Sequence, residues 1–123
     1  MRALVIDDSR AMRSILTNIL IECGFEVVSA GNGKEGLEKL AQAGAVELAL
    51  VDWNMPVMNG LEFVQAVRGD STHADMRIVM VTSETELTQI NRALEAGANE
   101  YIMKPFTKDV ILGKLEMLGV SPV

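Results

Sequence analysis

Apolar positions recur along this chain in two alternating rhythms. Ala3-Leu4-Val5-Ile6 is a short unbroken apolar run, and Met12, Ile15, Leu16, Ile19, Leu20 and Cys23 follow at the spacing of one helix face until Gly24 supplies a stop. This predicts a strand over residues 2–6 and then a helix. Phe25 to Ala30 reads as a second strand, and Asn32-Gly33-Lys34-Glu35 has capping-box spacing ahead of Leu37 and Leu40, closing at Gly44. Val46 to Val51 shows no clean alternation, the mark of a strand covered on both faces. Asn59-Gly60-Leu61-Glu62 resembles another capped helix start, running to about Arg68, and Gly69 to Asp75 reads as a polar loop. Arg77 to Thr82 predicts a fourth strand, followed by a helix carrying Leu87, Ile90 and Leu94 that stops at Gly97. Asn99 to Met103 is the fifth strand. A last helix, capped by Thr107, is expected to bury Val110, Ile111, Leu115 and Leu118. Five strand-helix units predict an α/β fold, a doubly wound five-stranded parallel sheet with five flanking helices, as one domain over 1–123.

Composition narrows the classes. The 123 residues are 49% hydrophobic and 23% charged, which is globular, and no apolar run approaches the roughly 20 residues of a membrane helix. The N-terminus is too short and too acidic for a signal peptide, so a cytoplasmic protein without membrane contact is expected. A net charge of −6 argues against nucleic acid as a partner, because phosphates call for basic surface. Cys23 is expected to be a buried inert thiol, and the eight methionines to fill the core.

Parallel strands would bring Asp7, Asp8, Asp52, Thr82 and Lys104 to one sheet edge, the edge where ligands gather in open α/β sheets. Singly, each has an ordinary explanation as a turn, cap or strand residue. Together they change the picture. Three close carboxylates raise one another's pKa unless a cation holds them ionised. Mg²⁺ fits, since it takes oxygen ligands, keeps waters and bridges to phosphate. Zinc does not fit: the edge has no Cys, and His73 lies in a loop elsewhere. Between a metal and an ammonium, Asp52 can act as nucleophile toward a phosphoryl group without a dedicated base.

With Asp7-Asp8 after the first strand, Asp52-Trp53-Asn54-Met55-Pro56 with Gly60, Thr82-Ser83, and Gly97-Ala-Asn-Glu-Tyr101-Ile-Met-Lys104-Pro105-Phe106, the whole chain resembles the receiver domain of bacterial two-component response regulators. The stand-alone chemotaxis-type (CheY-like) form is the nearest. The resemblance, and not periodicity, implies the flavodoxin-like strand order 2-1-3-4-5. It makes Asp52 the phosphoacceptor. Asp8, Asp52 and the backbone carbonyl of Asn54 become direct Mg²⁺ ligands, with Asp7 acting through water and Lys104 contacting the phosphoryl group. It further implies a cis peptide before Pro105, and a switch in which the Thr82 hydroxyl moves toward the phosphoryl group while Tyr101 turns inward. Without the resemblance, Tyr101 is an ordinary core aromatic. By the same resemblance Asn54 and Glu84 stand at the positions that tune hydrolysis and Ser83 is expected to keep access to Asp52 open, while Trp53 is expected to cover a loop.

The function this implies is a single-domain response regulator, not an enzyme with turnover. A sensor histidine kinase would phosphorylate it, and it would engage a target in trans through the helix near 84–96, the fifth strand and the last helix. With the tail ending at Val123, no output domain is expected. The target can be a motor switch, a phosphotransfer protein or another regulator; a monomer is expected, with a dimer on phosphorylation as the alternative state. A phosphorelay intermediate or phosphate sink is the alternative role. A metal-dependent phosphatase would carry a second Asp where Asn54 stands, a flavin binder needs glycines that Asp7-Asp8-Ser9-Arg10-Ala11 lacks, and a degenerate scaffold would lack reactive positions that are filled here.

Overall fold

The computed structural model describes residues 1–83 and 89–120. Strands β1 (Arg2–Ile6), β2 (Glu26–Ala30), β3 (Leu48–Asp52), β4 (Arg77–Thr82) and β5 (Glu100–Met103) alternate with helices α1 (Arg10–Glu22), α2 (Gly33–Ala43), α3 (Gly60–Arg68), α4 (Ile90–Ala96) and α5 (Lys108–Met117). All pairings are parallel, in the order β2-β1-β3-β4-β5. The expected doubly wound sheet is therefore present. No helix among the described residues is long and apolar enough to cross a membrane.

Side-chain alternation along the strands makes the two cores. Leu4, Ile6, Ala49, Val51, Ile78 and Met80 face the layer of α2, α3 and α4, meeting Leu40, Phe63, Val67 and Ala93. Ala3, Val5, Leu48, Leu50, Val79, Val81 and Ile102 face α1 and α5, meeting Leu16, Leu20, Ile111 and Leu115. Central β3 is buried along its whole length, which is why its sequence shows no polar alternation. The same parity assigns Asp7, Asp52 and Lys104 to the α1/α5 side and Thr82 and Tyr101 to the other.

Helix ends follow the sequence signals, with instructive departures. Asn59 and Glu62 form a complete capping box, whereas at α2 only half of one exists: Asn32 accepts from the Glu35 amide, but the Glu35 carboxylate reaches the Gly31 amide. Gly24 and Gly97 take φ of 99° and 122°, where a side chain would be strained. The polar loop after α3 contains a 3-10 turn, Ser71–His73. Val110, expected to be buried, is 45% exposed because it faces outward from the first turn of α5. Cys23 is half-buried at the end of α1 and not fully enclosed. Of the eight methionines only Met55, Met76 and Met80 are buried; lying in an apolar run does not decide which way a side chain points. Leu87 and Glu84 lie outside the described residues.

Candidate functional site

The register builds the site. Ile6 pairs with Val51, Asp52 with Val81 and Thr82 with Met103, so Asp7, Asp52 and Lys104 leave three strands at neighbouring points of one edge. Asp7 is 1% exposed and Asp52 5% exposed. One Asp7 oxygen accepts from the Ser9 amide at 2.9 Å, in the turn whose Ser9 hydroxyl then caps α1. The other, Oδ2, is the one buried side-chain polar atom without a hydrogen-bond partner among the described residues.

Lys104 Nζ lies 3.2 Å from Asp52 Oδ1 and 3.6 Å from Asp7 Oδ2. The Lys104–Pro105 peptide is cis. Burial pushes the Asp52 carboxyl up to about 6, and the Asp7 charge adds to this against the pull of Lys104. Burial also raises Asp7. Burial opposes the Lys104 charge, yet the two carboxylates outweigh it and hold Lys104 above its usual value.

Exposed Asp8 completes the cluster: one oxygen from each of Asp7, Asp8 and Asp52 lies within 4.8 Å of the others. Of these three carboxylates, Lys104 pairs with two, Asp7 and Asp52, among the described residues. An all-oxygen donor set, excess negative charge and an orphaned buried oxygen together fit a hard divalent ion such as Mg²⁺.

The loop after Asp52 is pinned from both ends. Trp53 N donates to Val81 O, and Gly60 N donates to Trp53 O. Gly60 is required by close approach: a Cβ there would stand 2.7 Å from the Asp52 carbonyl oxygen and 2.7 Å from Met80 Cε. Between them, Met58 N donates to Pro56 O across Val57, a γ-turn in which the β-branched Val57 takes φ of 68° and is 75% exposed. Half-buried Trp53 packs against the α2–α4 core, as a loop cover should.

Asn54 is exposed, two residues beyond Asp52. Thr82 is fully buried, and its hydroxyl donates to the Ser83 carbonyl, not to Asp52. Half-buried Tyr101 packs on the α2–α4 side, with Lys114 Nζ 5.1 Å from its ring centroid. Glu84 cannot be placed, being outside the described residues. Sequence reasoning overlooked Arg13, which donates through Nη1 to the Asp7 carbonyl at 2.7 Å. Its position one turn after the Ser9 cap was the available signal. A hollow of about 540 Å³ between α2, α3 and the 3-10 turn is lined by none of the carboxylates; their chemistry needs an open edge and not an enclosed pocket.

Residues 3–116 match the family model described as the response regulator receiver domain. The chain is 44% identical over 119 residues to chemotaxis protein CheY1 of Helicobacter pylori, covering 96% of each chain. It is 45% identical over 123 residues to a chemotaxis protein CheY homolog of Campylobacter jejuni, covering 98% of this chain and 95% of that one. Among solved structures, the chemotaxis response regulator CheY4 of Vibrio cholerae superposes with a TM-score of 0.87 at 36% identity, covering 95% and 97% of the two chains.

Proposed function

The chain belongs to the response regulator receiver domain family, a family of signalling domains, and from that premise we propose that it is a phosphorylation-operated signalling protein whose phosphoacceptor is Asp52. The observation that carries this reading is the Asp52 carboxylate, buried at a strand end, held at 3.2 Å by one lysine, and crowded by two further carboxylates. With its pKa at about 6 the group is ionised at neutral pH and able to attack.

The step is a displacement at phosphorus. A carboxylate oxygen of Asp52 forms a P–O bond to the phosphoryl group of a phosphohistidine in a sensor kinase as the P–N bond breaks, and the departing imidazole takes a proton from solvent. Lys104 keeps Asp52 oriented and meets the charge of the incoming phosphoryl oxygens. Asp8, Asp52 and the Asn54 carbonyl would hold Mg²⁺, with Asp7 acting through water. When bound, the ion supplies positive charge to the equatorial phosphoryl oxygens. Water later cleaves the acyl phosphate, restoring the carboxylate and releasing phosphate; the side chains of Asn54 and Glu84 tune that step. The hydroxyl of Thr82 leaves Ser83 for the phosphoryl group and Tyr101 turns inward, so the surface of α4, β5 and α5 changes for a cytoplasmic target in trans. The relatives named as chemotaxis proteins favour a target in that process.

Intact mass after incubation with Mg²⁺ and acetyl phosphate tests the reading. One phosphoryl adduct that requires metal and is missing from Asp52→Asn is expected. An adduct that persists in Asp52→Asn would overturn the assignment.

A further inference from the structure

β5 ends the sheet, so among the described residues one long side of it has no partner strand. At that open side the Glu100 carboxylate folds back and accepts from the Tyr101 amide at 2.9 Å. The same oxygen, Oε1, lies 3.3 Å from Lys114 Nζ. Lys114 belongs to α5, on one face of the sheet, while the Tyr101 ring packs against the core of the opposite face. Its side chain therefore reaches round the bare strand and sets its ammonium 5.1 Å from the ring centroid. This is within cation–π range. With side-chain exposures of 26% and 19%, the Lys114–Glu100 pair is shielded more than a surface ion pair, so its geometry is held.

We propose that Lys114 is a positioning residue for Tyr101: anchored by Glu100, it holds the ring in the placement seen here and so sets how readily the α4–β5–α5 face converts. The inference rests on the proposed switch role of Tyr101. Any inward turn of the ring removes the π face from the ammonium and leaves Glu100 as the cation's partner. The clamp thus links α5 to a ring on the far side of the sheet, through contacts made by three residues. Its strength follows from the cation–π scale, which corresponds to about a twofold to fivefold bias in ring populations.

Tyr101 is the single tyrosine of the chain, so fluorotyrosine incorporation gives one ¹⁹F resonance that reports this ring alone. The metal-free, donor-free full chain is compared with Lys114→Met, which keeps the packing stem and loses the charge, and with Lys114→Arg, which keeps a cation. The expected result is a displaced or broadened ring signal in Lys114→Met, restored toward the native position in Lys114→Arg. In Lys114→Met, Mg²⁺ with acetyl phosphate should then shift the ring about twofold to fivefold further toward its activated position, at equal adduct occupancy by mass. An unchanged ring signal in Lys114→Met overturns the proposal even if Asp52 takes up phosphoryl normally. Failure of the adduct in the native chain would instead count against the function proposed above, leaving the resting ring signal to decide the role of Lys114.

Discussion

The two ends of the sheet treat charge in opposite ways. At the edge where the strands begin, Arg68 spends all five donors: Nε on Gly97 O, Nη1 on His73 O and Ala74 O, and Nη2 on Met76 O and Asn99 Oδ1. Asn99 in turn accepts from the Ile78 amide, so one guanidinium fastens α3 to the segments that lead into β4 and β5. Arg2 behaves similarly, contacting Ala43 O and Glu26 while its amide donates to Glu47. At the edge where the strands finish, one lysine serves two buried carboxylates, and an Asp7 oxygen has no hydrogen bond among the described residues. Matched polar groups hold a fold; a buried group left unmatched costs stability and is kept for what will arrive.

Removing a matched group should have the largest effect. Arg68→Ala strips donors from four carbonyl oxygens and Asn99, and urea unfolding should show a loss of about 3 kcal/mol, from the usual worth of hydrogen bonds to charged donors. A loss within error would mean that the latch is ornamental, and the comparison between the edges would fail. Next comes Gly60→Ala, whose methyl would press on the Asp52 carbonyl and Met80; overpacking of about 2 kcal/mol is expected, with a shifted Trp53 emission reporting the disturbed loop. The third change probes a matched pair that sits at the active edge itself. Asn59→Ala breaks the capping box of α3 and should lower stability by about 1 kcal/mol in thermal unfolding, showing that matching, and not location, decides the sign.

Most of the architecture was legible because its signals are local. Alternating faces, capping residues such as Asn59 and Thr107, and stops such as Gly24 and Gly97 act within a few residues of where they stand. Asp7, Asp52 and Lys104 were also legible, since each directly follows or ends an apolar run and a parallel sheet aligns such positions. Arg68 was not. Its acceptors at 73, 74, 76, 97 and 99 are brought together only by topology, and nothing in the hydrophobic pattern marks them. The Lys114–Tyr101 contact escaped for the same reason, being made round the edge of a strand. Val110 and Met117 were misjudged because an apolar residue on a short helix is not thereby a core residue; Met117 is 70% exposed.

The central claim, that the finishing edge holds charge against the stability of the fold, is tested most directly by urea unfolding of the native chain and Asp52→Asn in chelator at pH 5 and pH 7. Because Asp52 sits at about 6 when folded against an ordinary 3.8, its contribution is favourable below the unfolded value and is lost as pH rises through about 6. Ionisation should therefore cost the metal-free native chain up to about 3 kcal/mol at pH 7, a net figure in which the opposing pull of Lys104 is already included. The expected result is that Asp52→Asn is the more stable protein at pH 7, by about 1 to 2 kcal/mol, with the gap narrowing at pH 5. If Asp52→Asn is the less stable protein at pH 7, Asp52 is a structural ion-pair partner of Lys104 like any matched group, and the account of this edge is wrong.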